Sequence, residues 1–243
     1  MSEETLDTLF QGKLKVLQSR KGYRFSLDAL LLAHFVSVKR NDTVADFGTG
    51  NGVIALLLAS LHSHVSITGI ELQQAMVERA ERNVKLNGLE ARIRICRGDV
   101  RAIDAVGRSE SFDVVVCNPP FRKPSSGRIS PNDEKRIARH ELHGELRDFL
   151  AAATFLLRPK GRLALIYSAA RAVELLLSMH QARVEPKRLR TIHSFADAKA
   201  SLVLAEGVKS GRAGLAVEKP LTIYRRKHEY TEEVAAVISG VRR

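Results

Sequence analysis

Cysteine is scarce in this chain of 243 residues: there are two, Cys96 and Cys117, each in an apolar, strand-like run. That argues against a disulfide framework or a thiolate metal site, and free thiols in a reducing compartment are expected. Long apolar runs are also missing. The longest, Val53–Leu61, is about nine residues and contains Ser60, whereas a helix that spans a bilayer needs about 20, so no membrane helix is expected. Met1-Ser2-Glu3-Glu4 is acidic where a signal peptide is basic, and no apolar segment follows it. A cytoplasmic location is expected. Internal repeats and low-complexity linkers are absent, so the simplest organisation is one domain, 41–243, with an N-terminal extension and helix, 1–40, packed on its core. His140-Glu141-Leu142-His143 spaces its histidines at i and i+3, not the i and i+4 of a zinc-binding H-E-x-x-H helix, and no metal is expected.

Acidic residues are in deficit. There are 39 Lys and Arg against 27 Asp and Glu, a formal net charge of +12. Such an excess points to a polyanionic partner, and nucleic acid is the first candidate. The surplus is spread along the chain: residues 183–243 carry thirteen basic and seven acidic residues, and residues 120–140 carry six and two.

The hydrophobic pattern beats strand, then helix. Strands are expected at Val44–Phe47, Val65–Ile70, Ile93–Cys96, Phe112–Cys117 and Leu163–Tyr167, and helices at Val53–Leu61, Gln73–Asn87, Leu146–Leu157 and Ala172–His180. Gly88 sits where a left-handed residue would end the third of these helical runs, counting one that Ser26 would cap. Later strands at Leu189–Ile192, Ser201–Ala205 and Leu221–Tyr224 predict an antiparallel edge hairpin. Thr231-Glu232-Glu233 reads as the start of a C-terminal helix. The class is therefore α/β and Rossmann-like: a mostly parallel twisted sheet with helices on both faces.

Asp46-Phe47-Gly48-Thr49-Gly50-Asn51-Gly52 follows the first of these strands and opens a helix. Glycines belong where the chain turns sharply and where backbone must approach a ligand without a Cβ in between. The location, beyond the carboxyl end of a parallel strand, is where open α/β sheets bind ligands. A glycine-rich turn alone also fits dinucleotide-binding dehydrogenases. Here, however, Gly48, Gly50 and Gly52 run G-x-G-x-G, and Asp46 would repel a pyrophosphate while suiting the ammonium of a methionine moiety. Glu71, followed by Leu72, ends the second strand and can grip both hydroxyls of a ribose. Asp99, followed by Val100, lies after the third strand and can accept from an adenine amino group. One acid per consecutive strand end predicts S-adenosylmethionine as cofactor.

Asn118-Pro119-Pro120-Phe121 follows the fourth strand. Two prolines hold the loop extended and rigid. That aims the Asn118 carboxamide oxygen and the Pro119 carbonyl at one point. An amino group conjugated to a base is a poor nucleophile because its lone pair is delocalised; two acceptors on its two hydrogens free that lone pair. Phe121 offers a flat face for stacking the base, and Asn118 also borders the expected cofactor position.

With these motifs the chain resembles N-methyltransferases that modify amino groups of adenine, guanine or glutamine. Gly22-Tyr23-Arg24-Phe25-Ser26-Leu27-Asp28-Ala29-Leu30-Leu31-Leu32, Ile137-Ala138-Arg139-His140-Glu141, Pro186-Lys187-Arg188-Leu189-Arg190 and Tyr230-Thr231-Glu232-Glu233-Val234 resemble more closely the bacterial tRNA1(Val) adenine-N6-methyltransferase family. The resemblance implies methylation of the adenosine immediately 3′ of the anticodon. Residues expected to hold the RNA are Arg122, Lys123, Arg128, Lys135, Arg136 and Arg139 beside the site and Lys187, Arg188 and Arg190 beyond it. Three alternatives stay open: a protein glutamine-N5 methyltransferase, an rRNA guanine-N2 methyltransferase, and an RNA-binding module with an inactive methyltransferase fold.

Overall fold

A computed structural model describes residues 4–20, 27–119 and 144–241. A hairpin of β1 (Glu4–Leu9) and β2 (Leu14–Ser19) precedes α1 (Leu27–Phe35). The alternating units follow: β3 (Thr43–Phe47), α2 (Val53–Leu61), β4 (Ser66–Glu71), α3 (Gln74–Leu86), β5 (Ile93–Arg97), β6 (Phe112–Cys117), α4 (Leu146–Leu156), β7 (Leu157–Ser168) and α5 (Ala172–Gln181). The chain then runs through β8 (Val184–His193), β9 (Ala200–Lys209), β10 (Ala216–Val217), β11 (Leu221–Thr222), β12 (Tyr224–Arg226), β13 (Glu229–Tyr230) and α6 (Glu232–Ser239).

Among the described residues nine strands form the main sheet in the order β10-β8-β9-β7-β6-β3-β4-β5, with β11 also beside β8. β5, β4, β3, β6 and β7 are parallel. β9 runs antiparallel between β7 and β8, giving the expected hairpin at that edge. The side-chain alternation of the strands divides the core in two. Val44, Ile67, Val114, Val116, Ala164 and Ile166 pack with α1 and α2 on one face. Ala45, Phe47, Val115, Cys117, Leu163 and Leu165 pack with α4 and α5 on the other. A strand buried on both faces has no polar side to show, which is why Val114–Cys117 of β6 is apolar without a break and β3 interrupts its apolar residues only at Asp46. α2 is apolar from Val53 to Ala59 and buried over that stretch, so Leu57→Ala should cost about 2–5 kcal/mol. Among the described residues no helix is long and apolar enough to cross a membrane.

Several boundaries depart from the sequence expectations. β7 begins at Leu157, six residues before the expected Leu163, because Lys160 takes a left-handed φ of 64° that bends the chain and lets the strand resume pairing with β6. β8 and β9 are ten residues each, longer than their apolar centres. The expected cap Ser26 lies outside the described residues. Gly88 is left-handed at φ 63°, one residue beyond the Asn87 cap of α3.

The N-terminal hairpin is fastened to α3. Asn83, fully buried, accepts the Leu17 amide at 2.7 Å and donates to the Leu17 carbonyl at 3.1 Å. One turn on, Asn87 does the same for Lys15 at 2.9 and 2.7 Å. Glu4 pairs with Arg82 at 2.6 Å and Arg79 at 2.9 Å, and the Arg82 hydrogen bond leads in holding its carboxyl down at about 2.

Candidate functional site

The sheet changes direction between β3 and β6. From β3 the chain steps outward to β4 and β5, then crosses back to lay β6 on the other side of β3. At such a switch point two connections leave in opposite directions and open a crevice beyond the carboxyl ends of the strands. Asp46, Glu71, Asp99 and Asn118 all lie at or just past those ends.

The glycine turn is built over the end of β4. The Gly48 and Thr49 amides donate to the Ile70 carbonyl at 2.9 and 3.2 Å. Gly48, Gly50 and Gly52 have φ of 64°, 58° and 83°, all left-handed. At Gly52 a second demand applies, since a Cβ would lie 3.3 Å from that of Ala80, so α3 can come close only to a residue without one. Glu71, buried, accepts the Gly50 amide at 2.9 Å on one oxygen and the Gln73 amide at 2.9 Å on the other. Its carboxylate plane is thereby fixed. β5 is tied in as well, because the Gly98 amide donates to the Glu71 carbonyl at 2.9 Å.

Asp46 is not an open carboxylate. It is fully buried behind the turn, where one oxygen accepts from Thr49 Oγ1 at 2.6 Å and the Ala55 amide also faces the carboxyl. Burial pushes its carboxyl up to about 7, against the lowering effect of the Thr49 hydrogen bond. Within the same turn the buried Asn51 carboxamide finds no hydrogen-bond partner among the described residues for either its oxygen or its nitrogen. Burial and the nearby Asp46 charge raise the Cys117 thiol well above its usual range, so it stays protonated.

Asp99 caps a short 3-10 helix, Val100–Ala105, by accepting the Arg101 amide at 2.9 Å. It also pairs with the Arg101 guanidinium at 2.5 Å. Val100 is buried and Leu72 half-buried, with the Leu72 carbonyl accepting from Arg97 Nε at 3.4 Å. Asn118 is half-buried immediately after β6, and Pro119 is buried. Pro120, Phe121, Arg122, Lys123, Arg128, Lys135, Arg136 and Arg139 lie outside the described residues.

The three distal basic candidates are already engaged. Arg188 bonds Glu218 at 2.6 Å, Ser37 Oγ at 2.8 Å and buried Glu206 at 3.2 Å, and its guanidinium lies 4.3 Å from the centre of the Phe35 ring. Arg190 donates to the Lys219 carbonyl at 2.9 Å and pairs with Glu233 at 2.8 Å. Lys187 Nζ donates to the carbonyls of Arg212 and Gly214.

Residues that the sequence pattern did not single out also shape this site. Arg101 clasps Asp99, and Asn83 reaches the turn by donating to the Asn51 carbonyl at 2.9 Å. A polar residue within an otherwise apolar helical stripe was the available signal for Asn83.

The family model described as methyltransferase small domain matches residues 26–188. A tRNA1(Val) (adenine(37)-N6)-methyltransferase of Porphyromonas gingivalis is 33% identical over 163 residues, covering 66% of this chain and 63% of the relative. The chain thus spans about three fifths of the length of the curated relatives it matches. Among solved structures, a predicted O-methyltransferase of Agrobacterium tumefaciens superposes with a TM-score of 0.73 at 26% identity, covering 88% of this chain and 96% of that one. Geranyl diphosphate methyltransferase in complex with SAM shares the fold, with a TM-score of 0.54 at 15% identity over 74% of this chain and 84% of that one.

Proposed function

Since the chain belongs to the methyltransferase small domain family, we propose that it transfers a methyl group from S-adenosylmethionine to the N6 amino group of an adenosine in tRNA, the one 3′ of the anticodon in tRNA1(Val). The observation that carries this reading is the line of polar groups along one sheet edge, ending in Asn118-Pro119 after β6.

The residues present fit the cofactor. Glu71 presents at the end of β4 a carboxylate oriented by the Gly50 and Gln73 amides, and two acceptor oxygens side by side suit a pair of vicinal hydroxyls. Asp99 and Val100 serve the base edge, and Leu72 its apolar side. Asp46 acts from behind the turn, where a buried negative charge complements an ammonium, while the Asn51 carboxamide beside it has no partner among the described residues. S-adenosylmethionine, when bound, supplies a methyl group made electrophilic by its sulfonium.

Asn118 and Pro119 do the rest by position. Their oxygens accept the two hydrogens of the amino group and turn its lone pair out of conjugation; as the nitrogen bonds the methyl carbon the carbon–sulfur bond breaks to a neutral thioether, and the methylated nitrogen then releases one of the two protons to solvent. The solved relative from Agrobacterium is named for O-methylation. A hydroxyl carries one hydrogen and calls for a base, whereas two neutral acceptors match an NH2 group. Phe121 stacks the base once it leaves its neighbours, and an anticodon-loop adenosine is cheap to unstack. Arg122, Lys123, Arg128, Lys135, Arg136 and Arg139 are proposed to hold the phosphates nearby. The net charge of +12 supports an RNA substrate over a protein glutamine, and a cytoplasmic location follows from that substrate.

The test is transfer of labelled methyl to unmodified tRNA, followed by mass mapping of the product. Label at N6 of the adenosine 3′ of the anticodon is expected. Label on a glutamine-containing protein, with none on tRNA, would overturn the reading.

A further inference from the structure

The structure carries a second group of exposed aromatic and basic residues on the same sheet edge as Asn118. β8 is antiparallel to β9, which is antiparallel to β7, so β8 ends at His193 on the edge where β6 ends. β11 runs parallel to β8 with Thr222 opposite His193, and the Tyr224 amide donates to the Ser194 carbonyl at 2.9 Å. The β12–β13 hairpin therefore rises from that edge, four strand positions from β6. At about 4.8 Å per strand the separation is roughly 19 Å, or some five to six nucleotides of stacked strand at about 3.4 Å each.

The hairpin displays a stack. The Tyr224 and Tyr230 rings lie 5.1 Å apart at 19°, and Phe195 packs against Tyr224 at 5.7 Å. Tyr230 is 42% exposed and Phe195 37%, so part of the aromatic surface is open to solvent. The three hairpin and helix glutamates beside it are matched: Arg225 lies 4.0 Å from Glu229 and 3.6 Å from Glu232, and Arg190 takes Glu233, which leaves exposed Asp197 as the acid near Phe195 without a basic partner among the described residues. Arg226 and Lys227, both exposed, have no acidic partner among the described residues. Stacking surface plus uncommitted cations is the pairing that single-stranded nucleic acid requires, because every base has a π-face and every linkage a charge.

We propose that Phe195, Tyr224, Tyr230, Arg226 and Lys227 form an auxiliary RNA-binding surface. It stacks an unpaired base several nucleotides from the reacting adenosine and neutralises two adjoining phosphates. The surface rests on the tRNA reading of the main site and supplies what one small pocket lacks, a hold on the rest of the molecule.

The experiment measures binding of unmodified tRNA1(Val) transcript to the full chain as salt is varied, for wild type, Tyr230→Ala, Tyr230→Phe and the Arg226→Ala/Lys227→Ala pair. Tyr230→Ala should weaken binding about tenfold, with Tyr230→Phe close to wild type because the ring is what stacks. The double variant should reduce the slope of log K against log salt by about two units. Cofactor affinity, measured in parallel, should be unchanged in all of them, which also verifies the fold. Wild-type tRNA binding with no change in any variant overturns the auxiliary surface and leaves the methyltransferase reading standing. Wild-type failure to bind or methylate tRNA overturns both.

Discussion

Glu71 and Gly50 are joined by a 2.9 Å hydrogen bond from the glycine amide to the carboxylate, so the end of β4 sets the shape of the turn after β3. The same carboxylate is proposed to hold the ribose. Glu71→Ala should therefore weaken S-adenosylmethionine binding by about 2 kcal/mol or more, as for loss of a charged acceptor. Glu71→Gln, which keeps one oxygen acceptor, should lose less. Calorimetric titration distinguishes them, and equal affinities in wild type and Glu71→Ala would remove Glu71 from the site.

The proposed role of Asp46 should link cofactor binding to pH. Its carboxyl sits at about 7 in the folded chain because burial disfavours the charge, against about 3.9 when unfolded. With the folded value raised, the proton contributes stability that is fully present below about pH 4 and is lost as pH climbs to about 7. Asp46→Asn should flatten that stretch of the stability curve. A bound ammonium favours the carboxylate, so binding near pH 6.5 should release a proton, and affinity should rise with pH up to about 7. Titrations in buffers of different ionisation enthalpy measure the release; none in wild type would break the proposed pairing.

Asn118→Ala should separate binding from chemistry. Cofactor affinity should be largely kept, while single-turnover methyl transfer falls on the order of 10²-fold or more, as for loss of a preorganised polar contact. A rate within about threefold of wild type would show that Asn118 is not the activating acceptor.

Arg188 should behave as a structural cation. It is held by Glu218, Glu206, Ser37 and the Phe35 ring, and its removal leaves the buried Glu206 without that partner. Arg188→Ala should lower unfolding free energy by about 1–3 kcal/mol with little change in the salt dependence of tRNA binding. Chemical denaturation and salt-dependent binding on one sample give both numbers. A slope reduced by a full unit with stability intact would return Arg188 to the phosphate-contacting set.

Much of the fold could be read from the sequence where burial is two-sided and local. Val53–Leu61 is found as expected, since an apolar run after a glycine turn can satisfy its backbone as a helix within itself. The places of the three acids and Asn118 near strand ends were legible from the strand pattern: Asp46 lies next to the end of β3, Glu71 closes β4, Asp99 follows β5 after Gly98, and Asn118 follows β6. The N-terminal strands were not. They reverse through Phe10 and Gln11 at φ 51° and 56° and Gly12 at 88°, with no Asn-Gly signal, and their partners are asparagines on a distant helix. The charge state of Asp46 and the engagement of Lys187, Arg188 and Arg190 also escaped, because burial and pairing depend on neighbours from elsewhere in the chain.

Asn83 gives the N-terminal hairpin a role in the order of assembly. Its side chain holds Leu17, 66 positions earlier, and Asn51, 32 positions earlier, with one carboxamide. The hairpin precedes α3 in the chain, so its anchoring bonds must wait until α3 exists. Closing a loop of that length costs entropy before any contact rewards it. The glycine turn should thus gain its final rigidity late, when the first strands dock. Refolding followed by hydrogen exchange should find protection at Leu17 and Gly50 arriving together, after the amides of β3 and β6.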